Sequence, residues 1–278
     1  MLHFLMRATA ALPLRVLHAI GTLLGWLVYF ASPTYRRHLR ENLAGAGYHD
    51  AALRRAAIAA AGRLVTELPA VWFRPRAAVL SLVHGLQGEA HIDAARAAGK
   101  GVVFLTAHLG CFEITAQLAA ARMPITVLYR PPKQTFLQPL IERGRAQHNV
   151  RLAPASLAGV RELIAALRRG EAVGILPDQV PSAGEGEWAE FFGRPAYSMT
   201  LAARLAARPD TVALLAFGER LPHGAGYMVH VRPMPQRRAE ESPTRWLNRA
   251  LEELIRAKPG QYLWGYNRYK APRGAARA

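Results

Sequence analysis

The sequence predicts an α/β domain with a mixed central sheet flanked by helices, preceded by an N-terminal hydrophobic anchor helix. Three observations carry this reading. Short apolar, β-rich runs alternate with helical segments from Gly101 onward, the pattern of strand–helix units. Turn residues stop the runs, as Pro131-Pro132 and Pro177 do. A nearly unbroken apolar stretch, Val16 to Ala31, lies ahead of the alternation.

That stretch, VLHAIGTLLGWLVYFA, carries His18 as its only strongly polar residue and has arginines on both flanks. As a helix its 16 residues span roughly 24 Å, short of a hydrocarbon core of about 30 Å. Trp26, Tyr29 and the flanking arginines suit an interface. Three readings stand at this point: a membrane anchor, short-spanning or interfacial; a buried core helix; and a signal peptide, although no small-x-small cleavage site precedes a polar start.

Arg40-Glu-Asn-Leu43 and Ala51 to Trp72 read as helices, with Leu53, Ala57, Ala60, Leu64, Val65 and Leu68 at helical spacing. Gly101 to Thr106 reads as a buried strand, Ile114 to Arg122 as a helix, and Ile125 to Tyr129 as the next strand. Helices follow at Phe136 to Gln147 and Ser156 to Arg169, then a third strand at Ala172 to Leu176. Tyr197 to Ala207 is expected to be helical. Thr211 to Gly218 and Tyr227 to Arg232 form a predicted hairpin. Trp246 to Lys258 is a helix, with Ser242 as N-cap and Pro243 at its first position. The chain has no internal repeat.

The charge balance narrows the partners. Lys+Arg is 36 against Asp+Glu 19, a net charge of +17, and all but Lys100, Lys133, Lys258 and Lys270 of the cations are arginine. Such a field attracts nucleic acid, anionic lipid, phosphorylated ligands or an acidic carrier protein. Arginine in particular forks onto phosphate. No helix-turn-helix, finger or aromatic binding sheet is legible, so nucleic acid is not expected as a partner. The mean hydropathy of +0.03 excludes a polytopic membrane protein. Cys111 is the only cysteine, so no disulfide framework exists within the chain.

His108 follows directly on the first central strand, where open α/β sheets place their ligands. Gly110 permits a tight turn, and Glu113 stands five residues after His108. A carboxylate folded back on an imidazole would fix its tautomer and make it a general base. The same segment is also compatible with a structural histidine, or with Cys111 chemistry. Metal-ligand spacing of the Cys-x-x-Cys or His-Glu-x-x-His kind is absent, so no metal or cofactor is expected.

The wider pattern adds to this. His108-x4-Glu113 resembles the His-x4-Asp/Glu motif of glycerolipid-type acyltransferases. Arg40-Glu-Asn-Leu43, Gly101 to Glu113, Val127 to Pro131, Gly174-Ile-Leu-Pro-Asp-Gln179, Phe191-Phe-Gly-Arg-Pro195 and Trp264-Gly-Tyr-Asn-Arg268 follow in order. Together they resemble the lipid A biosynthesis late acyltransferases, nearly end to end. Tyr266-Asn267-Arg268 departs from that family's usual Trp-x-His-Arg-Arg ending, so no role is assigned there. The apolar run, the strand–helix alternation and the Arg/Ala-rich end divide the chain into an anchor over residues 1–34, an acyltransferase catalytic domain over 35–270 and a basic tail over 271–278. The resemblance implies an enzyme on the cytoplasmic side of the inner membrane. An acyl chain would pass from acyl carrier protein to a hydroxyl of an anionic lipid A precursor, a glycolipid of the Kdo-lipid IVA kind. His108 is expected as base and Glu113 as its orienting carboxylate, with Arg130, Arg145, Asp178 and Gln179 as substrate contacts. Backbone N–H groups near Gly110 are candidate oxyanion donors. A related acyltransferase with another lipid acceptor would use the same chemistry.

Overall fold

The N-terminal quarter is helical. In the computed structural model, which describes residues 2–132 and 134–275, α1 (Leu2–Ala10) leads into α2 (Leu14–Ala31) and α3 (Pro33–Gly45). Then come α4 (Ala51–Thr66), α5 (Leu68–Phe73) and α6 (Arg76–Leu80). Ser32 caps α3 by accepting from the Tyr35 N–H, and Asp50 caps α4 by accepting from the Leu53 N–H. α2 and α4 cross closely, because Gly25 and Gly62 meet there: a Cβ on Gly62 would lie 1.8 Å from the Gly21 carbonyl oxygen.

The strand–helix alternation begins before Gly101. β1 (Val83–Gln87) and α7 (Glu89–Ala97) precede β2 (Gly101–Leu105), followed by α8 (Phe112–Ala120) and β3 (Ile125–Tyr129). α9 (Gln138–Arg145), β4 (Val150–Pro154), α10 (Leu157–Arg168) and β5 (Ala172–Ile175) continue it. A hairpin of β6 (Gly186–Phe191) and β7 (Arg194–Met199) interrupts, then α11 (Thr200–Ala206), β8 (Thr211–Arg220), β9 (Tyr227–Pro233) and α12 (Pro243–Ala257) complete the fold.

One sheet has the strand order β1-β9-β8-β2-β5-β3-β4 and is mixed, as expected: only the β8–β9 pair is antiparallel. β2 and β5 are buried at every position, which is why they read as continuous apolar runs. One core packs α10, α11 and α12 on one face of the sheet; the other core packs α5, α7 and α8 on the opposite face. The expected β8–β9 hairpin and the Ser242 cap of α12 are present.

One expected element differs in the structure, and further strands join it. Tyr197 begins no helix: it lies in β7, whose pairing with β6 runs from Gly186–Met199 to Phe191–Arg194, and α11 starts at Thr200. The hairpin was hidden because Pro195 sits in β7, a residue that argues against a strand except at an edge, where β7 lies. β1 and β4 were hidden because each is five residues long and broken by polar residues. Of the expected tail, residues 276–278 lie outside the described residues.

Candidate active site

Sheet order brings the site together. β2 and β5 are parallel neighbours, so the loops after them leave the same edge. His108 stands on the first loop and Asp178-Gln179 on the second. Asp178 accepts twice from His108: Oδ2 from the backbone N–H at 3.0 Å and Oδ1 from Nδ1 at 2.9 Å. Asp178 is 2% exposed. Burial pushes its carboxyl up, but the facing imidazole and its hydrogen bonds, with Arg268 behind, outweigh this and hold it below the usual carboxylate range. A proton on Nδ1 leaves the lone pair on Nε2. Nε2 lies 3.2 Å from the Gln179 side-chain nitrogen, which donates to it, and the Phe112 ring meets the imidazole edge at 4.9 Å.

The turn under His108 is held at every residue. Gly110 has φ +57°, and a Cβ there would lie 2.0 Å from the Gly218 carbonyl oxygen, so only glycine fits against β8. Leu109 N–H donates to Ala107 at 2.6 Å, Gly110 N–H to the Gln261 carbonyl at 3.0 Å and Cys111 N–H to Gly218 at 2.7 Å. Of the backbone donors near Gly110, those of Leu109, Gly110 and Cys111 are therefore already committed within the fold.

Glu113 is not the partner of the imidazole. Its Oε1 accepts from Arg145, from Nε at 2.8 Å and from Nη2; its Oε2 accepts from Trp72 Nε1 at 3.1 Å. The reason is helical geometry. α8 begins at Phe112, so Glu113 lies in its first turn and points toward α5 and α9 rather than back to the loop. The Arg145 guanidinium sits 5.7 Å from the Trp72 ring and 5.8 Å from the Tyr129 ring. Arg130, at the end of β3, is exposed and bonds Glu185 at 3.2 Å and Ser182 at 3.4 Å. Arg143 points to solvent.

A cavity of about 320 Å³ joins these groups, with His108, Glu113, Arg130, Arg145 and Gln179 in its lining. Asp178 is not in that lining; it stands behind the imidazole instead of contacting the space. The cavity floor runs beneath α8 from Leu86 on β1 to Leu152 on β4. At about 4.8 Å per strand, these lining residues are drawn from roughly 30 Å of sheet. Phe191 and Phe192 do not line it. They pack in the core, with Phe192 at 5.5 Å from Trp264.

The late segment supports the site from behind. Leu263 N–H donates to the His108 carbonyl at 3.0 Å, and the Tyr266 hydroxyl accepts from the Val180 N–H at 3.0 Å. Tyr262 is buried beside Asp178, and burial keeps its phenol protonated. Arg268 donates to the Tyr197 carbonyl and to Ser198. Asn42 donates to the carbonyls of Trp264 and Tyr266, at 2.7 and 2.8 Å. The segments 40–43 and 264–268 thus meet in space. Their sequence patterns were visible, but their contact was not.

A second buried cluster lies across the same turn. Arg220 donates to both oxygens of Glu67 and to the Gly110 carbonyl, and Glu67 also bonds His18 at 3.1 Å and the Tyr227 hydroxyl. Cys111 is buried against this cluster; desolvation and the Glu67 charge push its thiol well above the ordinary range.

Comparison with known proteins agrees with this architecture. Residues 1–271 match the family model for the bacterial lipid A biosynthesis acyltransferase. The chain is similar to a lipid A biosynthesis palmitoleoyltransferase of Escherichia coli (strain K12), 26% identical over 272 residues, covering 93% of this chain and 86% of that one. It is similar to a lipid A biosynthesis lauroyltransferase of the same strain, 26% identical over 215 residues, covering 75% and 69%. A lipid A biosynthesis acyltransferase of Haemophilus influenzae is 24% identical over 181 residues, covering 64% and 56%. A site at the carboxyl ends of parallel strands and a family match over nearly the whole chain lead to one conclusion: this chain is an acyltransferase and belongs to the bacterial lipid A biosynthesis acyltransferase family.

Proposed function

We propose that the chain moves a fatty acyl group from an acyl thioester to a hydroxyl of a lipid A precursor, with His108 as general base and Asp178 as the carboxylate that orients it. The observation that carries this is the His108–Asp178 pair, 2.9 Å apart, with Nε2 facing the cavity. Nε2 takes the proton of the acceptor hydroxyl, and the oxygen attacks the thioester carbonyl. The ester bond forms as the carbon–sulfur bond breaks, and the imidazolium returns the proton to the leaving thiolate. Asp178 fixes the tautomer and offsets the imidazolium charge. The Gln179 amide, which bonds Nε2, gives way to the acceptor hydroxyl. Glu113 holds Arg145 in the cavity wall, where the guanidinium meets an anionic part of the substrate. The apolar floor suits an acyl chain. The test is transfer from acyl carrier protein to a Kdo-lipid IVA acceptor. His108→Ala is expected to lose about 10²–10⁴-fold in turnover. Near-native turnover in folded His108→Ala would sink the base assignment.

The partners follow from charge and surface. A net +17 favours an acidic carrier protein as donor and a phosphorylated glycolipid as acceptor. Two helical stretches, Leu14–Ala31 and Ala51–Phe73, are long and apolar enough to cross a membrane. Yet α2 buries Leu17, His18, Gly21 and Gly25 against α4 and leaves Val16, Ile20, Leu23, Leu27 and Phe30 bare on its other side. This favours α2 lying along the cytoplasmic face of the inner membrane with its bare stripe in lipid. Cysteines placed at Ala11 and Thr34 should both react with an impermeant thiol reagent added outside inside-out vesicles. Protection of one of them alone would mean a span.

A further inference from the structure

Among the described residues, five buried side-chain polar atoms make no hydrogen bond: Tyr129 Oη, Arg208 Nε, Arg220 Nη1, Asn248 Oδ1 and Arg268 Nε. Four belong to side chains that bond through other atoms. Tyr129 is different, because the hydroxyl is its only polar atom. It is also the only one of the five that lines the cavity. The residue is 5% exposed. A phenylalanine would fill the same space without leaving a buried hydroxyl unmet.

The surroundings say what the hydroxyl is for. Tyr129 ends β3, on the same sheet edge as His108 and Asp178. β3 lies next but one to β2, about 10 Å away, on the side of the cavity where Arg145 stands. The guanidinium lies 5.8 Å from the Tyr129 ring, held there by Glu113. Desolvation keeps the phenol protonated and able to donate. The backbone N–H groups of Leu109, Gly110 and Cys111 are bonded inside the fold, so none of these three is offered to the substrate's negatively charged oxygens.

We infer that Tyr129 Oη is a substrate contact, donating a hydrogen bond to a substrate oxygen that carries negative charge, beside Arg145. Two oxygens share this chemistry: the thioester carbonyl as it becomes an oxyanion, and a phosphate of the acceptor. The inference rests on the acyl-transfer reading above.

Tyr129→Phe removes only the hydroxyl. In the full-length protein, acyl transfer should fall tenfold or more while the melting temperature stays equal or rises. A fall in kcat with both KM values unchanged assigns the hydroxyl to the thioester carbonyl. A rise in the acceptor KM that disappears with a dephosphorylated acceptor assigns it to phosphate. The inference is overturned if kcat/KM for both substrates stays within twofold of the parent. It is overturned equally if the melting temperature drops together with activity, since the hydroxyl then has a structural partner. His108→Ala, measured alongside, separates the two readings. An inactive His108→Ala beside a fully active Tyr129→Phe removes the tyrosine contact alone, whereas an active His108→Ala removes the base.

Discussion

Two histidine–carboxylate pairs of nearly equal length flank one turn, His108–Asp178 at 2.9 Å and His18–Glu67 at 3.1 Å. Their surroundings differ. The His108 side chain is 18% exposed and presents its second nitrogen to the cavity; the His18 side chain is 6% exposed and faces α4. Asp178 serves His108 through both of its oxygens. Glu67 is wholly buried and shared among Arg220, His18 and Tyr227. A carboxylate shared in this way is a structural tie, joining α2 and α5 to the Gly110 turn. A carboxylate that holds one imidazole at two points, with the other imidazole nitrogen on a cavity, is equipped for proton transfer. The pairing itself does not distinguish the two; access does.

The largest effect is expected from breaking the open pair. Asp178→Asn keeps the shape but favours the wrong tautomer, placing the proton on Nε2 where the lone pair is needed. Turnover should fall by about 10²–10⁴-fold with the melting temperature little changed. Near-native turnover would place the orienting role elsewhere. Glu113→Gln then becomes the informative variant, because Glu113 faces the same cavity.

The sealed pair should answer in stability. Glu67→Gln leaves the Arg220 charge buried and unbalanced, which should cost about 3–5 kcal/mol. Denaturant unfolding measures this. Turnover per folded molecule should change far less than in Asp178→Asn. A pure activity loss without destabilisation would erase the distinction between the pairs.

The pH dependence of stability sharpens it further. Burial pushes the Glu67 carboxyl up, but Arg220 and the hydrogen bond with His18 outweigh this and bring it down to about 2. The unfolded value is near 4.3. Folded Glu67 therefore binds its proton more weakly than the unfolded chain does. Its contribution is fully present above about pH 4–5 and is lost as pH falls toward 2. Thermal melts of the parent across that window should show a steeper loss than melts of Glu67→Gln. Parallel curves would mean that the carboxylate is not ionised in the sealed cluster.

Much of this arrangement was legible in the sequence. The all-buried strands β2 and β5 stood out, and with them the placement of His108 and of Asp178-Gln179 at strand ends. The apolar run matched α2. What was not legible was which strands are neighbours. Asp178 reaches His108 only because β5 pairs with β2, a fact set by sheet order across 70 residues of chain. Local spacing pointed to Glu113 instead, since a carboxylate five residues away is the only one that spacing can see. Its pairing with Arg145 and Trp72 depends on how α5 and α9 pack on α8. The tie between Asn42 and the 264–266 segment has the same origin.

The smallest effect should come from Cys111, which lies between the two pairs. It follows the Gly110 turn of the open site, yet its thiol packs on the sealed side, buried and displaced from its usual range by desolvation and by Glu67. A nucleophilic cysteine needs an accessible thiolate, and this environment disfavours one. Cys111→Ala should keep turnover within about threefold, with about 1 kcal/mol of stability lost to the small cavity it leaves. Transfer should also resist thiol alkylation in the folded protein. Full inactivation of a folded Cys111→Ala would mean that the boundary between open and sealed sides runs through the wrong side of the turn. A covalent acyl-enzyme would then have to be sought by mass spectrometry of the protein incubated with acyl donor alone.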